Sequence, residues 1–206
     1  MSNVIADISV SLDGYVTGPD ADLERGLGKG GEAIHEWVFA SHDSPRDREF
    51  LTAVEQATGA VIMGRRTFDF VDGPNGWNQD IGWAYDHPAA AVPPMFVVTR
   101  EEPAEPRHTA GFTFILDGIE SAVSRARSAA GEKDVVIMGG GETIARAIAA
   151  GLVDRLKVHL SPVLMGSGTN LFELVDDIVQ LEQVDAVVTQ NATHLTYAVE
   201  QRKETV

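Results

Sequence analysis

Short apolar runs that alternate with helix-like segments are the feature that most constrains the fold of this chain. The strands predicted from these runs lie at residues 4–12, 60–63, 95–99, 112–116, 134–138 and 155–160. Segments with helical spacing of apolar residues lie between them, at 45–57, after 117 and at 142–150. This alternation is typical of an α/β domain with mostly parallel strands. Two further runs between 181 and 200, joined near Asn191-Ala192, predict an antiparallel hairpin.

Residues that favour helix ends mark the boundaries of these segments. Ser44-Pro45 predicts a helix start, Asp117 and Glu120 have the spacing of a capping box, and Gly151 predicts a helix end. No repeat or linker divides the chain. We therefore expect one domain over residues 1–206: an α/β fold with a mixed, mostly parallel twisted sheet, flanking helices and a C-terminal antiparallel hairpin.

Charge and cysteine content exclude several classes of function. The net charge is −15, with only 16 Lys and Arg residues, so the chain's field repels nucleic acid and anionic membranes. There is no cysteine, and no His or carboxylate spacing is typical of a metal site, so we predict no bound metal. The first residues lack a basic segment before an apolar one, and no apolar run could span a bilayer, so we expect a cytoplasmic location.

Two strand ends carry residues suited to binding phosphate. A buried strand stops at Gly64, and Arg65, Arg66 and Thr67 then open a predicted helix. A second strand runs into three glycines, residues 139–141, before another helix. Glycines allow the backbone to approach a phosphate closely, helix N-termini present free N–H groups, and Arg adds forked donors. Together they predict a ligand that carries phosphate, although neither a G-x-G-x-x-G fingerprint nor a P-loop is present.

Several segments together resemble a known superfamily. Ser11-Leu12-Asp13-Gly14, Met63-Gly64-Arg65-Arg66-Thr67, Val98-Thr99-Arg100 and Met138-Gly139-Gly140-Gly141-Glu142 occur in the order of the dihydrofolate reductase superfamily. Leu152-Val153-Asp154 and the segment 161–168 resemble the reductase branch of riboflavin biosynthesis. The resemblance covers nearly the whole chain and implies the dihydrofolate-reductase-like fold.

The resemblance also implies an NADPH site. Its residues would be Val16, Gly64, Arg65, Arg66, Thr67, Thr99, Arg100, Met138, Gly139, Gly140, Gly141, Glu142 and Thr143. Among them Arg65 would lie nearest the ribose 2′-phosphate, Thr99 and Arg100 near the adenine, and Val16 near the nicotinamide. It further implies a cis peptide at Gly139–Gly140 and a homodimer, and the predicted hairpin offers an edge strand that needs covering.

The activity implied is that of an NADPH-dependent reductase that passes hydride to a C=N or C=O bond of a small pteridine- or pyrimidine-like heterocycle. A true dihydrofolate reductase and a non-catalytic NADPH-binding module are the alternatives. True dihydrofolate reductases carry an acidic residue on the first helix, where this chain offers only His35 or Glu36. The riboflavin-pathway substrate carries a sugar phosphate, for which Arg25 and Lys29 are the nearby basic candidates.

Asp7 is the candidate catalytic residue. Side chains alternate along a strand, so Asp7 shares one face of the first strand with Ser9 and Ser11. A central parallel strand is normally apolar on both faces, so a polar face indicates that it lines a cleft. A carboxyl there could bind a heterocycle's N–H groups and, if burial raises its pKa, pass it a proton. In the alternative interpretation, Asp7 lies on an exposed edge strand and only makes it soluble. Likewise, His159 would be a hydrogen-bonded core histidine and not a catalytic residue.

Overall fold

The computed structural model describes residues 2–78, 80–83, 92–175 and 178–200. In chain order its strands are β1 (Val4–Ser11), β2 (Tyr15–Thr17), β3 (Thr58–Gly64), β4 (Met95–Val98), β5 (Phe112–Ile115), β6 (Asp134–Ile137), β7 (Arg155–Ser161), β8 (Thr169–Asn170), β9 (Leu181–Val188) and β10 (Thr193–Val199). Its α-helices are α1 (Glu36–Phe39), α2 (Pro45–Ala57), α3 (Arg65–Asp72), α4 (Ile119–Ala130) and α5 (Gly141–Ala149). None of the helices within these ranges is long and apolar enough to cross a membrane.

Eight strands form one sheet in the order β5-β4-β3-β6-β1-β7-β10-β9. Neighbours from β5 to β7 are parallel, whereas β10 runs antiparallel to both β7 and β9. The predicted mixed sheet with a C-terminal hairpin is confirmed. β1 lies between β6 and β7 at the centre of the sheet, so the interpretation of its polar face as a solvent-exposed edge is wrong.

The inner strands are buried on both faces, as β3 illustrates. Ala60 and Ile62 pack in the core on one side of the sheet, with α4 and α5, while Val61 and Met63 pack on the other side, with α3. All four side chains are fully buried. A strand that is covered on both sides would bury any polar side chain on either face. Its sequence is therefore a continuous apolar run.

Two details of the fold differ from the sequence-based expectation. A two-stranded sheet, β2 with β8, joins the turn after β1 to the segment after β7 and was not predicted. The capping box at Asp117 is also wrong, because Gly118 takes the N-cap position with φ 98° and makes no side-chain cap. Asp117 therefore lies one residue outside the helix and pairs instead with Arg125, at 3.4 Å.

The other helix-end predictions are confirmed. The Ser44 hydroxyl accepts a hydrogen bond from the backbone N–H of Asp47, with Pro45 opening α2. Gly151 follows α5 with φ 66°, a conformation that glycine adopts without steric cost.

Candidate active site

One cavity of about 1300 Å³ runs from the carboxyl ends of β3, β4 and β6 to the polar face of β1. Every residue predicted to bind cofactor lines it: Val16, Gly64, Arg65, Arg66, Thr67, Thr99, Arg100, Met138, Gly139, Gly140, Gly141, Glu142 and Thr143. Asp7 lines its other half. The structure therefore brings the two groups of predicted residues into one site.

The two strand ends with phosphate-binding character meet directly. The backbone N–H of Gly64 donates to the Gly139 carbonyl at 3.1 Å. A Cβ at Gly64 would collide with the hydroxyl of Thr143, and one at Gly140 would lie 3.3 Å from the hydroxyl of Thr67. Neither position has room for a larger residue unless its neighbour moves. The backbones of β3 and β6 thus approach closely at the base of the cavity.

Helices α3 and α5 both begin at this junction. Their N-cap residues, Gly64 and Gly140, make no side-chain cap hydrogen bond. Unpaired N–H groups and the helix dipole make such termini favourable for anions. The Gly139–Gly140 peptide is cis, as the resemblance implied.

Arg65 joins the α3 end to the end of β4. Its Nε lies 2.7 Å from Asp69 Oδ1, and its Nη1 donates to the Glu101 carbonyl at 2.9 Å and to the Thr99 hydroxyl at 3.4 Å. Arg66 donates to the Ala21 carbonyl at 2.5 Å. The guanidinium of Arg65 is thereby held beside Thr99, where the resemblance places the adenosine end of the cofactor.

A fourth cavity arginine, Arg146, was not predicted. It lies one turn after Glu142 on α5 and pairs with that carboxylate at 2.5 Å. Both residues line the cavity. The spacing of four between Glu142 and Arg146 is the signal that could have indicated it, since residues four apart share a helix face.

Val16 lies against the glycine loop. It is buried in β2, and its Cγ2 would be 3.4 Å from a Cβ at Gly141. Asp13, beyond the end of β1, accepts hydrogen bonds from the backbone N–H groups of Met165 and Gly166. Together with the Ser11 hydroxyl, these bonds lower the pKa of Asp13 to about 2. Asp13 is therefore structural and fixes the loop after β7 to the end of β1.

Asp7 lies at the β1 end of the cavity with one oxygen paired and one without a partner in the described chain. Its Oδ1 is 2.9 Å from His159 Nε2, whereas its buried Oδ2 has no partner in the described chain. Burial raises the pKa of Asp7, but the charge and hydrogen bond of His159, with a contribution from Lys157, lower it to below its usual value. Asp7 is therefore ionised at neutral pH, and the raised pKa that would make it an acid is not found.

A buried chain of polar side chains continues from Asp7 into the core. His159 Nδ1 lies 2.7 Å from His194 Nδ1, and His194 Nε2 lies 3.0 Å from Asp47 Oδ1. The other oxygen of Asp47 accepts from the Asn191 amide at 2.9 Å. His159 is indeed a satisfied core histidine, but it also lines the cavity and contacts Asp7.

Of the two alternatives on the first helical segment, the structure places His35 at the cavity and Glu36 at the exposed surface. Burial, with the charge of His159, lowers the pKa of His35 to about 4, so the ring is neutral at pH 7. Trp37 packs over His159 at 4.3 Å between ring centroids and donates to the Ser9 hydroxyl.

The basic candidates for a substrate phosphate, Arg25 and Lys29, are not among the residues that line the cavity. Arg25 pairs with Asp22 at 3.5 Å, and Lys29 is exposed. Within the described ranges no three His, Asp or Glu side chains are arranged to hold a metal ion.

Comparison with known protein families matches residues 2–195 to the RibD C-terminal domain. The chain belongs to the RibD C-terminal domain family. Among curated proteins, this RibD C-terminal domain is similar to YyaP of Bacillus subtilis (strain 168). The two are 26% identical over 193 residues, covering 88% of this chain and 86% of YyaP.

Solved structures show the same fold for this RibD C-terminal domain. A Shewanella sp. PV-4 protein assigned to riboflavin biosynthesis is 21% identical, with a TM-score of 0.67, covering 97% of this chain and all of that one. The deaminase/5-amino-6-(5-phosphoribosylamino)uracil reductase of Thermotoga maritima is 13% identical, with a TM-score of 0.59, covering 96% of this chain and 56% of that one. Dihydrofolate reductase of Enterococcus faecalis, complexed with NADP(H), is 18% identical, with a TM-score of 0.57 and 97% coverage of both. The fold is therefore dihydrofolate-reductase-like.

Proposed function

We propose that this protein is an NADPH-dependent reductase that transfers hydride to a C=N or C=O bond of a small heterocycle. The observation that carries the proposal is the single cavity that joins two uncapped helix N-termini, at Gly64 and Gly140, to the carboxylate of Asp7. Family membership and the fold shared with an NADP(H)-bound reductase support the same conclusion.

The residues present fit a dinucleotide. The glycine junction leaves space that a Cβ would fill at Gly64 and Gly140, and four arginines in the cavity offset a chain charge of −15. These residues would hold the phosphates and the adenosine. When bound, NADPH supplies the hydride, and the protein supplies orientation and charge compensation.

In the substrate half, this chain's residues hold a proton beside the reacting group. His159 Nε2 donates to Asp7 Oδ1, which leaves Oδ2 to accept an N–H of the substrate. A heterocycle that gains hydride at a C=N or C=O bond also needs a proton at the nitrogen or oxygen. Among the described contacts of Asp7, the hydrogen bond from His159 supplies the proton available for this step.

NADPH oxidation, measured with a panel of pteridine, pyrimidine and quinone substrates, tests this proposal. Turnover of dihydrofolate alone would favour a true dihydrofolate reductase. Saturable NADPH binding without turnover of any member would instead support a non-catalytic binding module.

Arg65→Ala is expected to weaken NADPH binding by about one to two decades and NADH binding much less. The reason is that a charge-assisted contact to the 2′-phosphate contributes roughly 1.5–3 kcal/mol. Fluorescence titration of both cofactors measures the effect. Arg125→Ala is the control, because Arg125 also pairs with an aspartate but lies outside the cavity. Equal affinity of the wild-type protein for NADPH and NADH would contradict the assignment.

We also propose a homodimer that covers β9. This strand is at the edge of the sheet and exposes Leu181, Val184 and Val188, with 41–66% of each residue accessible. Exposed apolar edges favour association. Light scattering at micromolar concentration should give twice the 22.1 kDa chain mass. The Val184→Lys variant should give the mass of one chain. A single-chain mass for the wild type would refute the dimer.

The cytoplasmic location and the lack of nucleic-acid and membrane partners stay predictions.

A further inference from the structure

Three buried side-chain atoms in the described chain have no hydrogen-bond partner: Asp7 Oδ2, His35 Nδ1 and Trp83 Nε1. All three residues line the same cavity. Buried polar atoms are nearly always paired in folded proteins, so unpaired ones require an explanation. Because all three line one cavity, a bound ligand would supply their missing hydrogen-bond partners.

The three atoms define what that ligand must offer. Ionised Asp7 can only accept a hydrogen bond, so it requires an N–H or O–H donor. The Trp83 indole can only donate, so it requires an acceptor. Neutral His35 can do either, depending on its tautomer. A planar ring with N–H and C=O or ring-nitrogen groups provides such a set.

The surroundings of these atoms are mainly apolar, and the basic side chains described beside Asp7 at the cavity wall are histidines, not Lys or Arg. Trp37, Leu51, Val54 and Trp77 also line the cavity, and Trp37 packs over His159 beside Asp7. All arginines among the described lining residues lie in the other half, on α3, α5 or the end of β4. Lys157, whose charge reaches Asp7, is not a lining residue. A phosphate placed here would be desolvated beside a carboxylate, and the basic ring of His159 is already hydrogen-bonded to Asp7 and His194.

We propose that the substrate is a planar nitrogen heterocycle without a phosphate group, recognised by Asp7 Oδ2, His35 Nδ1 and Trp83 Nε1. This rests on the proposed reductase function for the position of the ring. It separates this chain from the Thermotoga maritima enzyme, whose named substrate is a phosphoribosylaminouracil. The family scaffold is thus shared, whereas the substrate class differs.

The test compares a matched pair of probes on protein loaded with NADP⁺, which prevents turnover. The pair is 5-amino-6-(5-phosphoribosylamino)uracil and its dephosphorylated form, with pterin as a third probe, and binding is measured by calorimetry. The dephosphorylated form should bind at least about ten-fold more tightly than the phosphorylated one. Equal or tighter binding of the phosphorylated form would overturn the proposal, as would failure of both unphosphorylated probes to bind.

Two variants sharpen this test. Trp83→Phe keeps an aromatic ring but removes the donor, so it should weaken binding of the preferred probe about ten-fold and leave NADP⁺ affinity unchanged. Leu51→Lys places a cation in the apolar half and should narrow the difference between the matched probes. An unchanged probe affinity in Trp83→Phe would remove Trp83 from the recognition set.

The outcomes separate this inference from the proposed function. If the phosphorylated probe binds better and is reduced when NADPH replaces NADP⁺, the inference fails and the reductase assignment stands. If unphosphorylated probes bind but neither they nor other heterocycles are reduced, the substrate class stands and the reductase assignment fails.

Discussion

Asp7→Asn is expected to lower turnover by about two to four decades while NADPH affinity remains nearly unchanged. The amide keeps the shape of the carboxylate but removes its charge. It can no longer orient a substrate N–H and hold the His159 proton at the same time. Asp7 is on β1, away from α3 and α5, so the residues proposed to hold the cofactor there should not be affected.

The pH dependence of turnover gives a second measurement for Asp7. Its pKa lies below the usual value, so the ionised form persists under mildly acidic conditions and is lost only below about pH 4. Turnover that depends on ionised Asp7 should fall there, and Asp7→Asn should lack that decline. Asp134→Asn is a suitable control, since Asp134 lies at the far end of β6 and contacts Asn3. Unchanged turnover in Asp7→Asn at every pH would leave His35 as the next candidate.

The sheet could be predicted from sequence because its inner strands are covered on both faces. The runs at 60–63 and 135–138 are apolar without interruption, and each is followed by glycine. The small sheet of β2 and β8 could not be predicted in this way, because three and two residues are too short to show periodicity. Its pairing depends on how the segments after β1 and β7 fold together.

The residues proposed to bind the cofactor lie in segments that are recognisable in the sequence, whereas the grouping of those proposed to bind the substrate depends on strand order. Glycines and arginines at strand ends indicate phosphate binding without knowledge of the topology. The role of His159 becomes apparent only when β7 is placed beside β1, where Ser9 and His159 are register partners. The sequence around Trp83 shows no hydrophobic periodicity, so it does not indicate that Trp83 lines the cavity. Asp7 could be predicted from the sequence because its own strand carries the alternation of polar and apolar residues.

The buried chain that ends at Asp47 links the stability of the fold to the geometry of this substrate half. Asp47 is fully buried on α2, where its carboxylate accepts hydrogen bonds from the hairpin residues His194 and Asn191. The 2.7 Å separation of the two Nδ1 atoms needs one proton between His159 and His194. Asp47 therefore orients His194, His194 orients His159, and His159 orients Asp7.

Asp47→Ala is expected to reduce the free energy of unfolding by about 3–5 kcal/mol, because it leaves the buried His194 ring and the half-buried Asn191 amide without an acceptor. Urea unfolding measures the loss, and Glu49→Ala, an exposed site on the same helix, should change stability by less than about 0.5 kcal/mol. If the alanine variant does not fold, Asp47→Asn serves instead. The asparagine amide has one oxygen, so if that oxygen accepts from His194, the N–H₂ group faces the Asn191 donor and that hydrogen bond is lost.

The sign of the pH dependence distinguishes a buried charge from simple packing at Asp47. Burial raises its pKa, but hydrogen bonds from Ser44, Thr189, Asn191 and His194 lower it to below the usual value. A lowered folded-state pKa contributes stability that is present above the unfolded-state pKa, about 4, and is lost as pH falls through the folded-state pKa. The difference in stability between wild type and Asp47→Ala should therefore be constant near neutrality and shrink below about pH 4. A difference that stays constant into acid would mean that Asp47 acts by filling space and does not hold His194 through its charge.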